Sequence, residues 1–441
     1  MKAIKNILSI CSVALLLGSC QADLLETKPY GNVAAGNMWT SENFADKGVT
    51  AIYSTLRKSY VGLGLYQMDC LGVSTDCRDA DYPIMRNTIT TSNGMFSSYW
   101  SEHYSGISRA NDAIVHLPEV DMPENKKARY MAEAKVLRAY FYYKLNIMYK
   151  GVPVYLEPVE ASECTKGQET EAAVWQVIED DLTAAINEPN LPNIYTEGSS
   201  DYGRVTKGLA YALRGKAYLY QKEYAKAAAD FEAVSQCGFG LFEGDYKQLF
   251  KEANEQSKEM IFSVQCIGLD GLGNDISFRY GTRSSFGSCW NTYLVNADFV
   301  ETYENADGSK FNWNDYIPGY NEMEPAARAV FFLRDGLTDA EKEAMKTAGA
   351  DMSKYLPEGN EARIKAAYAN RDPRLTASII TPYSTYDGAN GSNEYTYTLR
   401  WPFRAGDVSE PFDLKTDTNN RFYYLYRKFV AEGASEIPNR S

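Results

Sequence analysis

Between residues 41 and 237, apolar positions recur at three- and four-residue steps, the spacing that lines one face of a helix. Beyond 237 that rhythm gives way to short apolar runs among glycines and polar loops. The first stretch, 41–59, places Phe44, Val49, Ile52, Tyr53 and Leu56 on one stripe, with Ser41 as its N-terminal cap. A second helix is predicted over 98–117, where Trp100, Tyr104, Ile107, Ala110, Ile114 and Leu117 keep the step. The strongest is 124–149, rich in Ala, Glu, Lys, Leu and Arg; Lys150-Gly151-Val152-Pro153 stops it. Further helices are expected over 168–187, 205–221 and 224–236.

The last two read as a hairpin. Tyr211, Gly215, Tyr218, Tyr224, Ala227 and Phe231 hold positions 4, 8, 11, 17, 20 and 24 of a tetratricopeptide-like unit. In such a unit the glycine lets the helices approach and the small Ala227 fits the contact. An antiparallel pair of another type fits the same residues less closely. Residues 61–98 break the helical pattern with Gly62, Gly64, Gly72, Pro83 and Gly94, and carry Asp76, Asp79 and Asp81. They read as a long loop, either a ligand or metal lip or a solvated acidic surface. After 237, MIFSVQ (260–265), TYTLRWPF (396–403) and RFYYLYRKFV (421–430) read as strands or extended packing segments. Thr338 and Glu341 have capping-box spacing for a helix over 338–349. The fold class expected is mostly α: a helical scaffold to 237 with an irregular, aromatic-rich part from 238 to 441 laid over it, the two sharing a core.

The first residues change the picture of where the chain works. Lys2 and Lys5 precede an apolar run over 7–17, too short for a hydrocarbon core of about 30 Å. Residues 1–19 are therefore expected to be a signal peptide. Leu17-Gly18-Ser19-Cys20 resembles a bacterial lipobox, which makes Cys20 the expected lipid anchor and 20–40 a tether and entry segment.

Composition removes several classes. The 441 residues carry 45 Lys+Arg against 58 Asp+Glu, a formal charge of −13, so nucleic acid is a poor partner. The two histidines, His103 and His116, cannot build a His-rich zinc centre and read as packing or surface residues. Past the signal, Cys70 and Cys77 are spaced to bridge a loop in an oxidising compartment, though buried free thiols fit equally. No phosphate-binding glycine motif and no nucleophile elbow occurs. Asn305-Ala306-Asp307-Gly308 fails as a calcium loop and reads as a β-turn. No cofactor is indicated, and a structural calcium in an acidic loop is neither signalled nor excluded.

What remains is binding chemistry. Aromatic rings concentrate in the second half: Trp290, Tyr293, Phe311, Trp313, Tyr316, Tyr320, Trp401 and Phe403, with Asn291 and Arg283 nearby. Exposed rings stack on the apolar faces of sugars while polar neighbours bond hydroxyls. The ligand-binding candidates are Trp290, Tyr293, Trp313, Tyr316, Trp401, Asn291 and Asp79, with Trp290 and Trp313 first because polar loops surround them. Rings buried in the core are the competing reading for each.

Several segments together carry a family likeness. Residues 132–142, AEAKVLRAYFY, with Leu145, Tyr149, Gly151, Val152 and Pro153, resemble the hallmark helix and exit of the SusD/RagB family. So do Trp100, Tyr104, Ile107, Ala110 and Asn111, the run Asn370-Arg371-Asp372-Pro373-Arg374, and Tyr426-Arg427-Lys428-Phe429. Glu133, Arg138 and Tyr140 belong to the hallmark helix. The resemblance implies a non-catalytic, surface-exposed outer-membrane lipoprotein of a Bacteroidota bacterium, held in lipid through Cys20. It implies four tetratricopeptide-like units cradling a loop-rich ligand part, and delivery of glycans to a SusC-like TonB-dependent transporter. Loops near 66–81, 283–320 and 396–404 become the expected ligand surface. Capture of peptides by the same type of complex is the alternative; a glycoside hydrolase or a purely structural scaffold is more distant. Family members commonly continue past the Tyr426–Phe429 segment with further helices, so the last repeat is expected to be incomplete here.

Overall fold

The computed structural model describes residues 38–79, 82–269, 271–406, 409–417 and 421–433. Cys20, the signal peptide, most of the tether and Asp81 lie outside these residues. Among the described residues six α-helices build the first half: α1 (Glu42–Thr55), α2 (Gly94–His116), α3 (Glu124–Tyr149), α4 (Glu171–Ile186), α5 (Lys207–Tyr220) and α6 (Tyr224–Gln236). α3 and α6 have the predicted bounds. α2 begins four residues early because Asn93 Oδ1 accepts the Met95 N–H at 2.9 Å and caps it there. Ser41 precedes α1 in extended conformation, but its side chain makes no cap bond.

α3 is the hub. Tyr130, Val136, Leu137, Phe141, Tyr142 and Leu145 are all buried, so its apolar residues wrap most of its circumference, as in a helix packed from several sides. The chain leaves it through Lys150 and Gly151, both with positive φ (56° and 108°), and a Cβ on Gly151 would strike the Glu169 carbonyl. α5 and α6 form the expected hairpin. A Cβ on Gly215 would meet the Phe231 ring at 2.7 Å, so the glycine does set their approach. Tyr224 and Phe231 are exposed, however, rather than filling a seam.

The hallmark polar residues tie this scaffold together. Arg138 donates through Nε and Nη2 to Asp181 (2.8 Å each) and through Nη1 to Asn111 Oδ1 (2.8 Å), while Asn111 Nδ2 donates to the Tyr155 carbonyl. Buried Glu133 accepts from Tyr53 Oη (2.7 Å) and Arg204 Nη1 (2.9 Å). Tyr140 donates to the Val61 carbonyl, Trp100 packs on Tyr104 and Tyr149, and Tyr104 donates to the Pro153 carbonyl.

The second half is held by short elements. β1 (Thr75–Cys77) pairs antiparallel with β2 (Tyr293–Val295), which brings the 61–98 region onto the second half. That region is less of a loop than predicted: helical turns occupy Ser59–Leu63 and Leu65–Leu71 before β1. α7 (Ile276–Tyr280) precedes β2. α8 (Asp339–Thr347) carries the predicted Thr338/Glu341 capping box. α9 (Asn360–Ala369) and α10 (Pro373–Ser378) follow, the latter capped by Asp372, which accepts the Arg374 N–H. Arg371 donates to the Val300 and Tyr303 carbonyls, and Arg427 to Glu432 and the Thr385 carbonyl.

β3 (Ile379–Ile380) pairs with β7 (Leu425–Tyr426). The hairpin β4 (Thr385–Asn390)–β5 (Asn393–Thr398) carries β6 (Phe412–Asp413) parallel to β5. So 396–403 is strand only at its start, and 260–265 joins no ladder, although Phe262 and Val264 pack on the helical core. The two parts meet through the core in places rather than over one continuous cluster. One cluster is built by the helices with Phe262 and Val264 packed on it, one around Trp313 lies within the second half, and one around Tyr386 joins Tyr66 and Cys70 of the first half to the second. Asp307-Gly308 is a turn, with the Gly308 N–H bonded to the Asn305 carbonyl and φ 81° at the glycine. Cys70 and Cys77 are both free thiols, and no helix among the described residues is long and apolar enough to cross a membrane.

Candidate functional site

Of the six tryptophans, Trp290 is the exposed one, at 41%. Its position follows from the chain around it. After α7 the backbone doubles back through Gly287 (φ 78°), Ser288 (φ 54°) and Asn291 (φ 37°), two of them side-chain-bearing residues in the left-handed region. Such residues cost on the order of 1–3 kcal/mol each and persist only where surrounding bonds hold them. Here those bonds are a ladder: Cys289 N–H to Thr282 O (2.9 Å), Trp290 N–H to Phe278 O (2.9 Å) and Thr292 N–H to Arg279 O (2.7 Å). Gly281 permits the close return, since a Cβ there would sit 2.8 Å from that of Cys289.

The indole is flanked by cations. Phe278 packs against it at 4.9 Å between centroids, and the Arg279 and Arg283 guanidiniums lie 5.6 and 6.0 Å from its ring. Arg78, just after β1, donates Nη1 to the Trp290 carbonyl at 2.6 Å. Arg78 and Arg283 both pair with Asp417, whose own N–H donates to Asn291 Oδ1 at 2.9 Å. Arg279 pairs with Asp275 at 3.0 Å, and Tyr66 Oη donates to the same carboxylate at 2.6 Å. Burial and that carboxylate push the Tyr66 phenol well up, so it stays a neutral donor.

Arg283 also opens into a cleft of about 710 Å³, lined with Ser288, Asn390, Tyr395, Phe403 and Arg404 among others. Arg404 is oriented by two bonds to Glu341 (2.9 and 2.7 Å), which hold that carboxyl at about 2. The arrangement offers a partly exposed aromatic ring beside amide, hydroxyl and guanidinium groups, chemistry able to stack on an apolar ring face and bond hydroxyls.

The other sequence candidates separate from this site. Asn291 is adjacent but fully buried, acting through its bond to Asp417. Asp79 is exposed beside Arg78, 3.5 Å from its Nε. Tyr293 is buried in β2 against Tyr66 and Tyr280, not presented to a ligand. Trp313 is 2% exposed; Tyr320 stacks on it at 4.6 Å and its Nε1 donates to Glu301. Tyr316 is half-buried against Phe311 in the same cluster, and Trp401 is buried there too. These rings pack the core because residues distant in sequence, such as Tyr368 beside Trp313, cover them. Arg78, Asp417, Asn390, Tyr395 and Arg404 were not singled out from sequence; only the tertiary fold gathers them. Among the described residues no group of three or more His, Cys, Asp or Glu side chains is placed to hold a metal ion.

The chain is similar to several known proteins. A family model described as starch-binding and associating with the outer membrane matches residues 25–219, and a second, described as the SusD family, matches 258–441. A SusD-like protein of Bacteroides ovatus is 24% identical over 338 residues, covering 71% of this chain and 60% of its own. The chain thus spans 45–61% of the length of the curated relatives it matches. Among solved structures, a SusD-like protein of Bacteroides fragilis superposes with a TM-score of 0.66 at 20% identity, over 90% of this chain and 70% of that one. A laminarin-binding SusD-like protein gives 0.55 at 28% identity, over 66% and 68%.

Proposed function

The chain belongs to the SusD family, and from that premise we propose that it is a non-catalytic cell-surface catcher of glycans, anchored in outer-membrane lipid through Cys20, that passes its ligand to a SusC-like TonB-dependent transporter. One observation carries the reading: the exposed Trp290 ring, flanked by Arg279 and by Arg283, which also lines the Arg283–Arg404 cleft. A sugar ring lies on the indole, and the guanidiniums with Asn390 and Tyr395 bond its hydroxyls. The laminarin-binding relative supports a neutral oligosaccharide as the first ligand to try.

The site reads as binding rather than hydrolysis. Its central carboxylate, Asp417, is taken up by Arg78 and Arg283, whereas glycoside hydrolysis needs a pair of carboxyl groups free to act as acid and base or nucleophile. The test is calorimetric titration of the purified chain with laminarihexaose, malto-oligosaccharides, acidic oligosaccharides and a peptide mixture. Saturable binding of a glycan that weakens on Trp290→Ala supports the proposal. Binding of peptides alone, or release of shortened sugars, overturns it.

A further inference from the structure

The cleft that Arg283 opens into is positively charged. Among the described residues, its lining carries Arg283, Arg404 and Lys415 against one carboxylate, Asp413. The chain as a whole has the opposite balance, with a formal charge of −13. Asp413 has nothing to offer a ligand: its side chain is fully buried, Arg334 pairs with it, and it accepts the Arg404 N–H at 2.9 Å. Between the cations the walls are rings, Tyr395, Tyr397, Phe403 and Phe412. Charges of one sign set in walls of low dielectric focus their field into the space they enclose.

Each cation is presented differently. Arg283 pairs with Asp417, but Arg78 pairs with the same carboxylate, so two guanidiniums share one counter-charge. Asp79, the other carboxylate of this group, is exposed and lies beside Arg78. Arg283 uses Nε on Asp417 and Nη1 on the Ser288 carbonyl at 3.5 Å; its Nη2 donors have no acceptor among the described residues. Arg404 is held by Glu341 through Nε and Nη2, which fixes the direction of its fork. Lys415 is exposed and needs no partner; its main chain is tied to Ser284 Oγ at 2.9 Å, and its ammonium adds to the field. Planar guanidiniums match the oxygens of a carboxylate or a sulfate.

We propose that the glycan received at Trp290 is an acidic one, with a carboxylate or ester sulfate seated between Arg283, Arg404 and Lys415 while a sugar ring lies on the indole. The inference rests on the reading of Trp290 as a glycan platform and adds the class of glycan. Arg283 joins the two parts, since its guanidinium is 6.0 Å from the Trp290 ring and also lines the cleft. A neutral sugar uses the same donors for its hydroxyls but gains nothing from the field. An anionic sugar gains from both, because hydrogen bonds between charged groups are roughly twice as strong as neutral ones. Uncharged laminarihexaose serves as the control.

The test is calorimetric titration of the purified chain with hexamers of galacturonic and of mannuronic acid, the methyl ester of each, a sulfated hexasaccharide and laminarihexaose. The ester keeps the sugar and removes the charge. An acid is expected to bind at least tenfold more tightly than its ester, and the gap to narrow as sodium chloride rises from about 50 to about 500 mM. Lys415→Glu, at an exposed position outside the core, lowers that preference at least fivefold. Arg404→Gln lowers it as well, with thermal unfolding as the check that the variant is folded. Tighter binding of the sulfated sugar than of either uronate also supports the proposal and identifies the anion as sulfate. Equal binding of acid and ester, or a preference that neither variant moves, overturns it. Binding of laminarihexaose alone, lost on Trp290→Ala, overturns it and leaves the platform standing; binding of no glycan overturns both.

Discussion

The main-chain carbonyl of Trp290 accepts a 2.6 Å hydrogen bond from Arg78, a residue 212 positions earlier in the chain. The same guanidinium grips Asp417, which in turn holds Arg283 beside the indole. One arginine thus links the β1–β2 pairing to the ring platform and to the cleft behind it.

Replacing Trp290 by alanine removes the platform but little of the core, since the ring is 41% exposed. Affinity for the glycan that binds the native chain should fall at least tenfold, the loss of about 1.4 kcal/mol or more. The urea midpoint should stay nearly unchanged. Calorimetry and chemical denaturation of the same preparation check both.

Arg78→Ala should act on both quantities. It leaves Asp417 with one partner instead of two and frees the Trp290 carbonyl. Stability should drop by about 1–3 kcal/mol and glycan affinity several-fold. Arg78→Lys should recover little of either, because a lysine cannot serve a carbonyl and a carboxylate with the same planar fork. Full rescue by lysine would show that only the charge matters.

Arg138 and Asp181 are each only 6% exposed and bond bidentately. Arg138→Ala strands a buried carboxylate and should cost about 3–5 kcal/mol in urea unfolding. The double change Arg138→Met/Asp181→Leu should cost clearly less than the single one. A double variant as unstable as Arg138→Ala would assign the loss to packing instead.

His103 gives the chain a pH-dependent stability. Its Nδ1 donates to the Tyr99 carbonyl at 2.6 Å, its Nε2 is buried without a partner, and burial lowers its titration to about 4 from the ordinary 6.5. Because the folded value is depressed, the unfolded chain binds more protons between pH 6.5 and 4. Stability is therefore full above 6.5 and is lost as the pH falls through that window, by roughly 3 kcal/mol. His103→Leu should flatten this part of the profile. Urea midpoints at pH 7.0 and 4.5 measure the difference; equal slopes in both proteins would remove His103 as the source.

Gly151→Ala should destabilise by more than about 1 kcal/mol. Its φ of 108° is one that L side chains rarely adopt, and the Glu169 carbonyl occupies the space of the added methyl. Thermal denaturation read against Gly167→Ala, where nothing lies within 4 Å, isolates the effect.

The scaffold was legible because its helices carry their own signal. α3 and α6 appear with the bounds that residue periodicity predicts, and Gly215 meets Phe231 as the hairpin pattern requires. The site was legible only in part. Trp290 stands out among small polar neighbours, and it is exposed. Trp313 stands among equally polar neighbours, yet Tyr320, Phe332 and Tyr368 enclose it, and no local pattern announces partners up to 55 residues away. Arg78 and Asp417 are 339 positions apart, so their pairing has no sequence signature at all.

If a sugar docks on Trp290 as proposed, the left-handed turn at Ser288 and Asn291 sets how it is received. The perch is already set, with its ladder of main-chain bonds made before any guest arrives. Little ordering remains to be done on the protein's side at the moment of contact. On the proposed reading, adaptation therefore falls to the guest: chains whose resting curvature already lies flat on the indole would be retained, and those that must be bent to fit would leave sooner.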